Sequence, residues 1–293
     1  MQSIRSVAEL RAALAGARRE GRLIGLVPTM GAFHEGHLSL MRQARRRCDI
    51  VVVSLFVNPT QFNDAGDLAV YPRDEERDAG QAAELGVDYL FAPAVEEVYP
   101  AGFATTVSVS GLTEDLEGAS RGRGHFDGVT TVVAKLLNMV GPDIAFFGQK
   151  DAQQAAVVRR LVRDLNLPVE IVTCPTVRAP DGLALSSRNA LLSEADRRRA
   201  PVLHRALRLV ETAIAAGERD PEAATEEARA ELAEAGVEPE YLAIVATQTM
   251  EPVQRIDGDV LAVIAARIGA VRLIDNVPIS AAAIPEPTKV KAV

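Results

Sequence analysis

The sequence predicts an α/β protein, a parallel-sheet domain followed by a smaller α+β domain. Short apolar runs alternate with helical patterns up to about residue 173. Three of those runs end in a polar segment that opens a helix or turn, the arrangement of βαβ units in a parallel sheet. Beyond about residue 177 the pattern changes to long charged helices and then β-like runs, which reads as a second domain.

Ile4 to Arg19 places Ile4, Val7, Leu10, Ala13 and Leu14 on one face, so a helix is expected to cover the first strand. That strand is Leu23 to Val27, and Pro28, lacking an N–H, should end it. His34 and His37 flank Gly36 in the turn that follows, and a helix continues through Leu38, Leu40, Met41 and Ala44. Helix N-termini carry unpaired N–H groups and partial positive charge, so two imidazoles at one suit a phosphate. Taken alone, two loop histidines are as readily solvated or held in a core. Asp49 to Val57 is a second buried run, and it releases NPTQF at the same sheet edge.

Asp67 to Gly86 reads as charged and then helical, with a glycine C-cap. VDYLFAP is a third strand, and the alternating TTVSVS within Val95–Ser110 reads as an excursion or edge strand. Gly118 to Gly128 holds four glycines with Arg121, Arg123 and His125, the composition of a mobile loop over a site or equally of an ordinary flexible surface loop. A buried helix, Gly128–Met139, should follow. Asp143 to Gly148 is a fourth strand, followed directly by QKDAQQ at a helix start. Val169 to Thr173 is a fifth. Cys174 to Asn189 is an irregular connection in which Ser186, Ser187 and Arg188 offer two hydroxyls and a guanidinium, or simply a helix cap. Helices over 192–216 and 221–235, β-like runs over 241–247 and 260–267, and a final strand ending near Ile279 complete the second domain. Residues 281–293 read as a disordered tail.

Composition narrows the function. A formal charge of −8 argues against general nucleic-acid binding, which needs a basic face. Cys48 and Cys174 lie far apart without metal-ligand spacing, as expected of a reducing, cytoplasmic compartment. No apolar run approaches membrane-spanning length.

His-x-Gly-His after a first strand resembles the signature of the nucleotidyl-transferase superfamily. Four blocks in order, PTMGAFHEGH, FVNPTQF, FGQKDAQQ and ALSSRN, resemble the pantothenate synthetase (pantoate–β-alanine ligase) family, over about residues 2 to 280. The resemblance implies a Rossmann-like domain over 1–176 that binds ATP and pantoate, a smaller α+β lid domain over 177–280, and a homodimer. It implies ATP-dependent condensation of (R)-pantoate with β-alanine to pantothenate, in coenzyme A biosynthesis, through a pantoyl adenylate, with release of AMP and pyrophosphate. Mg²⁺ would accompany ATP as co-substrate, with no tightly bound organic cofactor.

Carried over by position, Met30, Gly31, Ala32, Phe33, His34, Glu35, Gly36 and His37 would line the ATP site. His34 and His37 would hold the phosphates, and His37 is the family's assigned proton donor. Gly148, Gln149, Lys150 and Asp151 would also contact the nucleotide, with Lys150 on a phosphate and Val177 against adenine. Gln61 would hold pantoate and lie near β-alanine, Gln154 would hold pantoate, and Asn58 would bind in and support that pocket. Leu185, Ser186, Ser187 and Arg188 stand where related enzymes place a phosphate-contacting loop, the last three among the catalytic residues. Asp78 matches an acid near Mg²⁺. Gln149 stands where many relatives have Glu, and Leu185 where many have Met. The glycine-rich segment is one residue longer than the common form, so Arg121 and Arg123 receive no role.

Overall fold

The computed structural model describes residues 1–62 and 65–280, the side chains of Ala65, Asp67 and Val70 excepted. The stretch expected to form a disordered tail, 281–293, lies outside the described residues. The chain divides into two compact units, the first Met1–Val177 and the second from Arg178 onward.

The first unit opens with β1 (Gln2–Ile4), a three-residue strand where a helix was expected to begin. The helix α1 (Val7–Arg19) starts later because Ser6 caps it: its hydroxyl accepts from Glu9 N while the Glu9 carboxylate reaches back to Ser6 N. β2 (Ile24–Thr29) runs through Pro28 instead of ending before it. Its pairing with β5 is confined to Gly25 and Leu26, so beyond them only β3 remains, and a missing N–H is tolerated on a one-sided strand. Next come α2 (Glu35–Arg47), β3 (Ile50–Leu55), α3 (Ala65–Val70), α4 (Glu75–Glu84), β4 (Tyr89–Phe91) and α5 (Val95–Val98).

The alternating segment after α5 is not a strand. It lies along a later helix, with Val107 N donating to Thr131 Oγ1 at 2.9 Å. The glycine-rich segment is helical, not a loop: α6 (Glu117–Arg121) and α7 (Arg123–Val140) meet at Gly122, whose φ of +76° makes the break. Two of its glycines serve close approach. A methyl on Gly118 would overlap the Thr113 carbonyl, and one on Gly128 would overlap Thr60 O and lie 2.8 Å from Gln61 N. β5 (Ile144–Gly148), α8 (Ala152–Asp164) and β6 (Glu170–Cys174) complete the unit.

Among the described residues, six strands form one parallel sheet in the order β1-β4-β3-β2-β5-β6. From β2 the chain winds first toward β3 and β4, then crosses back to β5 and β6. Right-handed crossovers therefore put α2 and α4 on one face and α1, α7 and α8 on the other. This is the Rossmann-like arrangement with one added edge strand, and its switch point lies between β2 and β5. On the α2 face, Leu40, Met41 and Ala44 pack with Val27, Val51, Val53 and Phe146.

The second unit is α+β. The helix expected over 192–216 is split into α9 (Glu194–Arg199) and α10 (Val202–Ala215) at Pro201, which has no N–H to continue it. Asp220 caps α11 (Pro221–Glu234), with proline in the first helical position. Strands β7 (Pro239–Ala246), β8 (Val260–Ile268) and β9 (Val271–Ile279) form an antiparallel sheet in that order. The apolar sides of α10 and α11, including Leu207, Val210 and Leu232, share its core with Ile244 and Ile264.

The contrast between glycines in one helix is testable. Gly128→Ala should lower stability by about 2 kcal/mol or more, because the new methyl meets backbone. Gly124, at the start of the same helix, has open space around it, so Gly124→Ala should raise stability by up to about 1 kcal/mol. Urea midpoints measured for both variants should move in opposite directions.

Candidate active site

At the carboxyl end of β2 the chain makes a strained turn. Gly31 and Ala32 both adopt left-handed backbone, with φ of +86° and +54°. The buried carboxylate of Asp78, on α4, holds the turn by accepting from Ala32 N and Phe33 N, each at 2.8 Å. Burial raises the Asp78 pKa, opposed by these two donors. Asp78, expected near Mg²⁺, has both carboxylate oxygens on the backbone of the turn and positions it. Among the described residues, no three His, Cys, Asp or Glu side chains cluster as a metal site.

His34 is the N-cap of α2, so the helix begins three residues before its apolar face appears. Its Nδ1 accepts from Gly36 N at 3.1 Å, and His37 Nδ1 accepts from His34 N at 3.4 Å. The two imidazoles thus perform the reciprocal capping usually made by Ser and Glu. The backbone donors fix the tautomer, leaving a proton on each Nε2. Gly36 is required because a methyl there would lie 2.8 Å from His34 Nδ1. The rings are 4.3 Å apart between centroids, tilted by 39°. Burial, then the charge of His34, pushes the His37 pKa down to about 3. Burial and the charge of Lys150 also lower that of His34. Both rings are therefore neutral hydrogen-bond donors at pH 7.

Across the switch point, β5 ends at Gly148, and Gln149–Asp151 form a single 3₁₀ turn before α8. Lys150 Nζ lies 3.6 Å from Asp151 Oδ1, with its side chain 19% exposed. The charges of both residues act on His34 and His37, so this turn and the start of α2 face one another. Of the two following glutamines, Gln153 is buried and tied to Glu117 N, Leu112 O and Asp115 O. Gln154 is half-buried.

Beyond β3, Asn58 caps the 3₁₀ turn Pro59–Gln61. Its Nδ2 donates to Gln61 Oε1 at 3.0 Å and to Gly128 O at 3.1 Å. Its Oδ1 accepts from Thr60 N, Thr60 Oγ1 and Tyr99 Oη. Asn58 is buried, and these contacts engage both ends of its amide, which suits the supporting role expected of it. Gln61 Nε2 lies 2.9 Å from Met30 Sδ, which joins the ends of β2 and β3. His125 Nδ1 is 2.8 Å from Gln61 O, and Arg121 is paired with Glu117 at 2.8 Å, so neither is a spare group on a mobile loop. Tyr99, His125 and Gln153 carry no local sequence signal, because their partners lie 36 to 64 residues away.

In the second unit, Ser186 caps the 3₁₀ turn Ser187–Leu191 by accepting from Arg188 N at 3.3 Å. Arg178 pairs with Ala184 in an isolated bridge and makes two hydrogen bonds to Asp275, at 2.6 and 2.9 Å. These contacts anchor the base of the segment carrying Leu185 to Arg188.

The family model described as pantoate-β-alanine ligase matches residues 2–278. The chain belongs to the pantoate-β-alanine ligase family. A pantothenate synthetase from Moorella thermoacetica is 57% identical, over 94% of this chain and 98% of its own length. One from Cereibacter sphaeroides is 55% identical, over 94% and 99%. The crystal structure of pantothenate synthetase from Thermus thermophilus superposes with a TM-score of 0.88 at 48% identity, covering 94% of this chain and 99% of that one. The Francisella tularensis pantoate-β-alanine ligase, complexed with β-γ ATP and β-alanine, gives 0.78 at 35% identity, covering 94% and 97%. As a pantoate-β-alanine ligase family member, this protein is an enzyme of the ligase class.

The depressed His37 pKa has a measurable sign. An unfolded imidazole binds its proton near 6.5 and the folded one near 3, so acid favours the unfolded chain. The contribution of His37 to stability is complete above about pH 6.5 and is lost as pH falls toward about 3. NMR titration should show the His37 ring neutral at pH 5, and His37→Asn should flatten the fall in stability across that window.

Proposed function

We propose that this protein joins pantoate to β-alanine at the expense of ATP, through a pantoyl adenylate, releasing AMP and pyrophosphate. What supports the reading is one sheet edge carrying two Nε2–H donors, the N-terminus of α2 and the Lys150 ammonium, beside the oriented amide of Gln61.

ATP lies with its phosphates against His34, His37 and Lys150, in contact with the Met30–His37 turn and with Gly148 to Asp151. Pantoate is held by Gln61 and Gln154. A pantoate carboxylate oxygen attacks the α-phosphorus, and the bond to the pyrophosphate oxygen breaks. Negative charge grows on the phosphoryl oxygens, where preorganised N–H donors and a cation lower the barrier. With its pKa held near 3, His37 serves as a hydrogen-bond donor to that charge and not as a proton source. In the second step the β-alanine amine attacks the acyl carbon and the bond to AMP breaks, with the amine proton passing to solvent. No side-chain nucleophile is required.

Mg²⁺ fits as a passenger of the nucleotide. Asp151 offers a half-exposed carboxylate near the histidines, and Mg²⁺ is commonly held by one or two carboxylates together with substrate phosphates. The ion would neutralise charge on the departing pyrophosphate. The family resemblance extends the proposal to Val177 at the adenine, to Leu185, Ser186, Ser187 and Arg188 on the nucleotide, and to a cytoplasmic homodimer.

AMP release should require pantoate, β-alanine, ATP and Mg²⁺ together, and ATP, Mg²⁺ and pantoate without β-alanine should exchange labelled pyrophosphate into ATP. Alanine at His34, His37 or Lys150 should slow that exchange on the order of a hundredfold, the effect of losing about 3 kcal/mol of charge stabilisation. Turnover with another acid and none with pantoate would overturn the substrate. Exchange at the parent rate by His37→Ala would overturn the mechanism.

A further inference from the structure

Side-chain amides can face either way, and which way Gln61 faces decides whether the pocket offers a donor or an acceptor. Two backbone groups tell the oxygen end of the Asn58 amide from its nitrogen end. Thr60 N can only donate and lies 3.3 Å from Oδ1, while Gly128 O can only accept and lies 3.1 Å from Nδ2. The remaining Nδ2 proton goes to Gln61 Oε1 at 3.0 Å. With its oxygen occupied, Gln61 turns Nε2 toward Met30 and the end of β2.

The Tyr99 hydroxyl is the far end of this chain. It donates to Asn58 Oδ1 at 2.8 Å, from a loop 41 residues away. Its ring is held between Phe56 and Phe103, at 6.1 and 5.2 Å between centroids, and Lys135 Nζ stands 5.9 Å from its centroid. Burial raises its pKa, which keeps the proton on the oxygen at physiological pH. The hydroxyl is thus a permanent donor on a fixed ring.

We propose that Tyr99 is a positioning residue: donating to Asn58 Oδ1 beside Thr60 N and Thr60 Oγ1, it holds the Asn58 amide where Nδ2 fixes Gln61, so that the acid pocket presents an N–H donor to an acceptor oxygen of its substrate. The identification of that substrate with pantoate rests on the function proposed above; the relay itself does not. A donor at this point suits a carboxylate or hydroxyl oxygen and disfavours a ligand presenting its own N–H, since two donors would then face each other.

The test uses Tyr99→Phe, which removes the hydroxyl and keeps the ring between its neighbours. In side-chain amide NMR spectra of the nitrogen-labelled, ligand-free protein, the Gln61 signals are identified by their loss in Gln61→Ala, and those of Gln154 by their loss in Gln154→Ala. Tyr99→Phe should shift the Gln61 signals and leave the Gln154 signals in place. Unmoved Gln61 signals would overturn the relay whatever the substrate proves to be. In initial-rate assays, Tyr99→Phe should raise KM for pantoate about fivefold to tenfold, the range for one neutral hydrogen bond, with KM for ATP changed less than twofold. Added to Gln61→Ala, it should have no further effect on KM for pantoate. Parallel rises in both KM values, or an undiminished effect in the Gln61→Ala background, would show a merely structural role and overturn the proposal. Shifted Gln61 signals in a protein without pantoate-dependent AMP release would uphold the relay and remove the substrate assignment.

Discussion

The first turn of α2 must satisfy backbone donors that no helix can satisfy for itself, and two imidazoles do so. Because Gly36 N and His34 N occupy the Nδ1 atoms, the protons sit on the Nε2 atoms. One local constraint therefore starts the helix, locks two rings and leaves two uncharged donors. The strained Gly31–Ala32 turn delivers the chain to that point, and Asp78 makes its left-handed backbone tolerable by taking both of the N–H groups it exposes. The helix start depends on the turn, and the turn on a carboxylate 46 residues further along the chain.

Sheet topology does the rest in the first unit. The crossover from β4 to β5 brings Gly148–Asp151 beside β2, while β3 on the other side brings Asn58 and Gln61. Parallel strands all end at one edge, so three sequence blocks separated by many residues become neighbours. Supporting residues then come from elsewhere: Gly128 lets α7 approach the Asn58 turn, and His125 holds the Gln61 carbonyl.

Much of this was legible in the chain. The βαβ alternation, the strand ends at His34, Asn58 and Lys150, and the change of character near residue 177 all follow from apolar periodicity and punctuation. What escaped has physical reasons. β1 is three residues with two exposed, too short for any pattern to register. TTVSVS alternates like a strand, but its backbone is claimed by threonine hydroxyls on α7. The glycine-rich run suggests mobility, yet Gly118 and Gly128 are there for close packing within helices. Asp78 and Tyr99 could not be placed because their work is done through contacts with distant backbone and side chains.

Gln153 and Gln154 are chemically identical neighbours in different surroundings. The first is sealed inside, with its amide joined to three points of the 112–117 segment; the second is half-buried at the start of α8. On the function proposed above, a genetic screen scored by growth would find both positions intolerant and invite the same explanation for each. Scored instead by cellular abundance, they should separate, since loss of the first leaves buried backbone groups unpaired and sends the chain to proteolysis. Adjacent identical letters can thus differ in what cellular quality control sees of them, one sealed among backbone groups and the other half-buried.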